Sequence, residues 1–364
     1  MALPPRIYIA ATSQHVGKTT TTLGLMAALR AHGLHVGYCK PLGQKHVTIN
    51  GAQVDKDAPL FTEFLGIPLE PSLHSPVILG RGVSGQFIEN PEDFDFMDQV
   101  TQAARQLEET YDLVVYEGTG HPGVGSVVDL SNADVAKNLQ AGVILVVEGG
   151  VGKTLDQITL NRAIFEQRNV PILGVIVNKV NRAKLPKVKK LVGKKLEKWG
   201  IPLLGVIPFE EKLALPLMRA VQKAVEGTTI AWPDKLDQRI EGLISPKQEK
   251  VRHLSNQLLI TNDCRLDYAL KQLQAKCPGY LPLGGIVVTG RNGISPFAEQ
   301  LIQDQKIPVI HSPMDTYEAV IEFSRIEVKL NPKTSWKVDK SRCCKNNSTA
   351  FSTFQEVLGL SFTS

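Results

Sequence analysis

The chain lacks the features that would take it out of the ordinary globular class. It holds five cysteines, Cys39, Cys264, Cys277, Cys343 and Cys344, and no CxxC pair. An odd number without paired spacing supports neither a disulfide framework nor a zinc site. No apolar run approaches the ~18 residues that a membrane span needs. The N-terminus, MALPPRIYIAAT, is too short in its apolar part for a signal peptide and carries no cleavage pattern. The net charge of +5 is too mild to imply nucleic acid by itself. No internal repeat of fixed period is visible. These absences make a cytoplasmic protein, with no membrane and no nucleic-acid partner, the expectation.

What is present suits packed cores. At 364 residues, the chain can form two or three domains of roughly 150 residues each. Hydrophobic residues make up 43% and charged residues 21%, which argues against disorder. Residues 6–11 (RIYIAA) read as a short buried strand, followed by a helix from Thr19 to about His32 that Gly33 stops. Further strands are expected in HVGYCKPLG, DLVVYEG (112–118), GVILVVEGG (142–150), ILGVIVNKV (172–180) and PLLGVIPF (202–209), with a helix over 97–110. Their Val/Ile/Leu runs are continuous rather than alternating, as in a parallel sheet buried on both faces. The pattern turns mixed and polar near Ala214. A second unit follows, with strands at 256–262, 284–290 and 307–312 and helices over 263–276 and 295–305. The expected fold class is α/β, a parallel sheet with helices on both faces followed by a smaller α/β domain.

The stretch IAATSQHVGKTTTT (Ile9–Thr22) ends in Gly17-Lys18-Thr19. The usual phosphate-loop spacing, G-x-x-x-x-G-K-[ST], would put a glycine at position 12, where this chain has Thr12. The context is nevertheless right, because the loop follows a buried strand and opens a helix. Backbone N–H groups at a helix N-terminus bind anions, with the helix dipole in support. Lys18 would add charge at the β- and γ-phosphates, and the Thr19 hydroxyl would help to hold Mg²⁺.

The loop resembles that of dethiobiotin synthetase and its relatives, G-T-x-x-x-V-G-K-T. ATSQHVGKT has the same length, with Ala11 in place of the first glycine. GYCKPLGQ resembles the family's Tyr-Lys-Pro segment, DKDAPLF its Asp-Ala segment, VVYEGTGHPGVG its Glu-Gly-x-Gly segment, and GVIVNKV the strand ending in its adenine-binding asparagine. The five segments come in the family's order over about 180 residues. The set resembles the ATPase domain at the N-terminus of long phosphate acetyltransferases, and proteins that join this domain to a DRTGG domain. LLITNDCRLDYAL, GGIVVTG and IPVIHSPMDTYEAV are similar to the DRTGG domain. The implied organisation is an ATPase domain over 1–212, a DRTGG-like regulatory or assembly domain over 213–330 and a polar tail over 331–364.

The resemblance implies ATP and Mg²⁺ as cofactors. It places Gln14, His15, Val16, Gly17, Lys18, Thr19 and Thr20 around the phosphates and Asn178 at the adenine. It assigns Thr19, Asp57 and Glu117 to the metal, and Lys40, with Lys18, to catalysis beside a small carboxylate substrate. A homo-oligomer is expected. Read as residues alone, these positions keep alternatives. Glu117 ends a buried strand, where open α/β sheets bind ligands, but could cap the turn that follows. Asp55 competes with Asp57 as a ligand. Lys40, before Pro41, could be a solvated sheet-edge lysine. The Gly-rich loop 118–126 can bring N–H groups to a ligand or simply move, and His121 within it reads best as a surface residue. A second Gly-Lys-Thr, Gly152-Lys153-Thr154, has Val147 where the cradle should begin, so it reads as a plain helix start. The lysines between Lys179 and Lys198 read as a solvated helix face. The expected function is an Mg-ATP-binding ATPase with a regulatory second domain. The alternatives are an ATP-dependent carboxylate ligase and a non-catalytic nucleotide sensor. A complete phosphate acetyltransferase is not expected from this chain alone, since the resemblance implies a further catalytic domain after the second one.

Overall fold

In the computed structural model, β1 (Arg6–Ala11) is buried on both faces, with Tyr8 and Ala10 turned into one core and Ile7, Ile9 and Ala11 into another. The structure describes residues 6–210, 215–249 and 251–326. These fall into two compact units that divide between Phe209 and Glu210. The sequence-expected tail over 331–364 lies outside the described residues.

In the first unit, β1 leads through the Gly-Lys-Thr loop into α1 (Lys18–Ala31) and then β2 (Val36–Cys39). Next come β3 (Leu42–Gly43), the hairpin of β4 (His46–Ile49) and β5 (Ala52–Asp55), α2 (Ala58–Leu65), α3 (Pro71–His74), β6 (Val77–Ile78) and α4 (Val83–Glu89). The regular alternation resumes with α5 (Phe96–Thr110), β7 (Leu113–Glu117), α6 (Asn132–Asn138), β8 (Gly142–Glu148), α7 (Gly152–Gln167), β9 (Ile172–Val180), α8 (Leu185–Lys198) and β10 (Leu203–Pro208). The six long strands form a parallel sheet in the order β10-β9-β8-β1-β7-β2. On β7, Val114 and Tyr116 face one core while Leu113 and Val115 face the other, which is why these strands read as unbroken apolar runs. The helices supply the matching stripes. α5 buries Val100, Ala103, Ala104 and Leu107, the spacing of one helical face. α8 buries Val188, Val192 and Leu196 and leaves its lysines to solvent.

This order positions the site. The chain runs from β1 out to β2, returns through β7 beside β1, and then builds β8, β9 and β10 on the other side. Ligands in such sheets bind beyond the carboxyl ends of the strands, where the strand order reverses. The ends of β1, β7 and β2 carry the Gly-Lys-Thr loop, Glu117 and Lys40 to that edge.

The second unit begins with α9 (Met218–Ala224), β11 (Thr228–Ala231) and β12 (Gly242–Leu243), in the stretch that reads as mixed and polar in the sequence. It continues with β13 (Gln257–Asn262), α10 (Asp263–Lys276), β14 (Leu283–Thr289), α11 (Pro296–Gln305), β15 (Val309–Ser312) and α12 (Thr316–Ser324). The sheet order is β11-β15-β14-β13-β12, with β11 alone antiparallel to its neighbour. Side-chain caps start three helices: Asn262 on α10, Ser295 followed by Pro296 on α11, and Asp315 on α12. No helix among the described residues is long and apolar enough to cross a membrane.

Candidate nucleotide and metal site

The loop after β1 turns back on itself through two left-handed residues, His15 (φ 62°) and Gly17 (φ 89°). Gly17 is required twice over. Its φ favours glycine, and a Cβ there would strike the Asn178 side-chain amide. That amide donates to the Val16 carbonyl at 2.9 Å, while Asn178 Oδ1 accepts the N–H of Lys179 at 2.8 Å. Lys179 Nζ in turn donates to the His15 carbonyl. Asn178 therefore holds the loop from behind, with both ends of its side chain engaged. Gln14 and His15 are exposed at the tip, Val16 is buried, and Thr20 is half-buried in the first turn of α1.

Five sequence-expected residues, Lys18, Thr19, Lys40, Asp57 and Glu117, meet in front of the loop. The Thr19 hydroxyl donates to Glu117 Oε1 at 2.9 Å. Lys18 Nζ lies 3.5 Å from the Gly120 carbonyl. Lys40 is buried between two carboxylates, with Nζ 2.5 Å from Asp57 Oδ2 and 3.1 Å from Asp55 Oδ1. Asp57 thus stands in the cluster through its pair with Lys40. Asp55 joins it as well, and its Oδ1 accepts the Asp57 N–H at 2.9 Å.

Burial raises the Glu117 carboxyl above its ordinary range; Lys40, Lys18 and the Thr19 hydroxyl pull the other way, and Asp57 adds to the rise. Burial likewise raises Asp55, against the pull of Lys40. Burial would lower Lys40, but Asp57, Glu117 and Asp55 hold it above its ordinary value and keep it charged. Lys18 is lowered by burial to about 8, with Glu117 opposing.

Glu117 Oε2 is the informative atom. It is buried and has no hydrogen-bond partner. Among the described residues, no group of three or more His, Cys, Asp or Glu side chains is arranged to hold a metal by itself. Magnesium does not need one, since it takes one or two carboxylates and fills its octahedron with waters and phosphate oxygens. A hydroxyl beside a carboxylate with one unused oxygen fits that chemistry.

The loop 118–126 is held by a residue that sequence reasoning missed. Asn132 Oδ1 accepts from the Tyr8 hydroxyl at 2.8 Å and from the Thr119 N–H at 3.0 Å. Its amide donates to the carbonyls of Thr119 at 2.8 Å and His121 at 2.6 Å. Gly118 allows this approach, since a Cβ there would sit 2.5 Å from Asn132 Oδ1. The sequence signal is the helix cap Ser131, which locates the start of α6 but says nothing of its neighbour's contacts. His121 is exposed, and its Nδ1 accepts the Gly123 N–H at 3.2 Å. The second Gly-Lys-Thr starts α7. The Thr154 hydroxyl donates to the Glu148 carbonyl at 2.8 Å, and the Lys153 side chain is 82% exposed.

The chain is 23% identical over 352 residues to a phosphate acetyltransferase of Nitratidesulfovibrio vulgaris, covering 92% of this chain and 49% of that protein. It is 27% identical over 209 residues to an ATP-dependent dethiobiotin synthetase of Clostridium acetobutylicum, covering 56% of this chain and 85% of that protein. It is 28% identical over 236 residues to a protein of Methanocaldococcus jannaschii described as "Probable cobyric acid synthase", covering 58% and 46%. The chain thus spans about half the length of the phosphate acetyltransferase and of the cobyric acid synthase. Residues 5–216, which hold the loop, Lys40, Asp57, Glu117 and Asn178, match the family model described as an AAA domain, and the chain belongs to that family, AAA_26.

Proposed function

We propose that the chain binds Mg-ATP at the loop after β1 and hydrolyses it in the cytoplasm, with residues 213–330 acting as a DRTGG-like regulatory or assembly domain of a homo-oligomer. The observation that carries the first part is the orphaned Glu117 Oε2 beside the Thr19 hydroxyl. A buried carboxylate oxygen without a donor is costly, and a divalent cation satisfies it. Magnesium would be held by Thr19, Glu117 and Asp57, and would neutralise charge on the phosphate oxygens. Lys18 and the N–H groups from Gln14 to Thr20 bind the phosphates. Lys40 supplies positive charge where a phosphoryl group transfers. The adenine contact implied for Asn178 would be made in addition to its bonds to Val16 and Lys179. The match over 92% of the chain to a phosphate acetyltransferase supports the reading of the second domain.

A second reading, an ATP-dependent carboxylate ligase, is favoured by Lys40. A buried, charged lysine among the proposed metal ligands suits a site where a substrate carboxylate meets a phosphate. Relatives named dethiobiotin synthetase and cobyric acid synthase support it. Calorimetric titration with ATP, with and without Mg²⁺, tests the common core, and phosphate release with and without small carboxylates separates the readings. The expected outcome is Mg-dependent binding that Lys18→Ala abolishes while circular dichroism stays unchanged. Wild-type affinity in Lys18→Ala overturns the phosphate-loop reading. Binding without turnover leaves a nucleotide sensor.

A further inference from the structure

The pair between Lys40 and Asp57 conflicts with the proposed metal set. Asp57 Oδ2 takes a hydrogen bond from Lys40 Nζ at 2.5 Å, yet the same carboxylate is asked to face a cation. Lys40 is 6% exposed, so it cannot simply be left without a counter-charge. Asp55 removes the conflict. It is 2% exposed, and its Oδ1 lies 3.1 Å from Lys40 Nζ. It is also held firmly. Its N–H donates to Ser75 Oγ at 2.9 Å, its Oδ1 accepts the Asp57 N–H at 2.9 Å, and it packs so closely on Gly43 that a Cβ there would come within 2.8 Å of its own. A residue held at its backbone N–H, at its Cβ and at one carboxylate oxygen stays put while its neighbour moves.

We propose that Asp55 is a positioning residue, the resident counter-ion that keeps Lys40 in place when Asp57 turns from the lysine to the metal. Asp55 touches neither metal nor nucleotide. It acts through Lys40, which passes from two carboxylate partners to one. Lys40 then keeps its charge and gains an unused N–H for the transferring phosphoryl group. The inference rests on the Mg-ATP reading above and goes beyond it, because it gives a role to a carboxylate that the metal set leaves out.

Asp55→Asn tests it. The amide oxygen can still accept the Asp57 N–H, so the turn into α2 is kept, but Lys40 then depends on Asp57 alone and holds it away from the ion. The quantity to measure is the ratio of ATP affinity in Mg²⁺ to ATP affinity in EDTA, by calorimetry, for the wild type, Asp55→Asn, Lys40→Met and the double variant. Outer partners of metal ligands change metal affinity by about 10–100-fold. Asp55→Asn is expected to lower the ratio by about tenfold, with EDTA affinity unchanged. In the Lys40→Met background it is expected to change the ratio little, because no lysine remains to compete for Asp57. Equal losses with Mg²⁺ and EDTA, the same loss in both backgrounds, or no loss at all would each overturn the proposal. Should Asp55→Asn melt below the assay temperature, Lys40→Met decides. Released from the lysine, Asp57 should then bind the ion at least as well as in the wild type, and a lower ratio overturns the hand-over. A wild type that binds no ATP overturns the Mg-ATP reading itself; a wild type that binds Mg-ATP, with variants that fail these tests, overturns only the role of Asp55.

Discussion

Glu117 combines a cost with a use. Its buried carboxyl is held above the ordinary range by burial, and one of its oxygens has no donor. Replacing it by the neutral amide removes the cost of charge and should stabilise the ligand-free protein by about 0.5–2 kcal/mol, the usual gain when a functional group under strain is relieved. The same change should weaken Mg-dependent turnover by at least about tenfold. Thermal melts and phosphate release measure the two effects, and a Glu117→Gln protein with unaltered Mg²⁺ dependence would exclude a metal role. His74 gives a separate pH dependence. Burial lowers it below its ordinary value, against its hydrogen bond with Glu70, and its Nε2 is buried without a partner. The folded chain therefore binds fewer protons than the unfolded chain once the pH falls below about 6.5. The stability is present above that pH and is lost on acidification, at about 1.4 kcal/mol for each pH unit over which only the unfolded form is protonated. Urea unfolding between pH 7.5 and 5.5 should show a steeper loss for the wild type than for His74→Gln. Equal slopes would mean that other groups control the acid limb.

At the scale of elements, one tripeptide occurs at two helix starts with different outcomes. Gly17-Lys18-Thr19 closes a loop bent by two left-handed residues, His15 and Gly17, and its threonine meets Glu117. Gly152-Lys153-Thr154 begins too close to β8 for any such loop, and its threonine is tied to the strand end at Glu148. Lys153→Ala should leave ATP affinity within about twofold of the wild type, as an exposed charge at a distance is weakly felt. A large loss would place the second helix start at the nucleotide. The loop 118–126 depends on Asn132. Asn132→Ala removes four hydrogen bonds and leaves the buried Thr119 N–H without its acceptor, which should cost about 2–4 kcal/mol in urea unfolding. A cost under about 1 kcal/mol would show that the loop is held by its own glycine-rich turns instead. The repeating strands and helices were legible at this scale, since their apolar runs and stripes are local. The hairpin of β4 and β5 was not. β4 is largely exposed and β5 is buried only at its last two residues, so burial imprints no apolar pattern on them, yet the hairpin carries Asp55 back towards Lys40.

For the whole molecule, the division after Phe209 leaves the first unit with its own two cores and the second with another pair, one on each face of its sheet. A chain of residues 1–214 should therefore fold by circular dichroism and keep Mg-ATP binding, while its oligomeric state by light scattering or its turnover changes. A folded truncation that binds no ATP would overturn the regulatory reading of the second domain. The sequence by itself determined the α/β class, the parallel sheet and the phosphate-loop context. The reason is that burial on both faces writes unbroken Val, Ile and Leu runs into each strand, and the Gly-Lys-Thr is read against the strand before it. Only the tertiary structure decided which charges meet. Thr19 and Glu117 are 98 residues apart, Tyr8 and Asn132 are 124 apart, and Lys40 lies between Asp55 and Asp57 because a hairpin folds back on β2. Hydrophobic periodicity repeats over a few residues and can be read locally. A hydrogen bond or an ion pair spans only about 3 Å, so its partners are set by how distant segments cross, which no local pattern encodes.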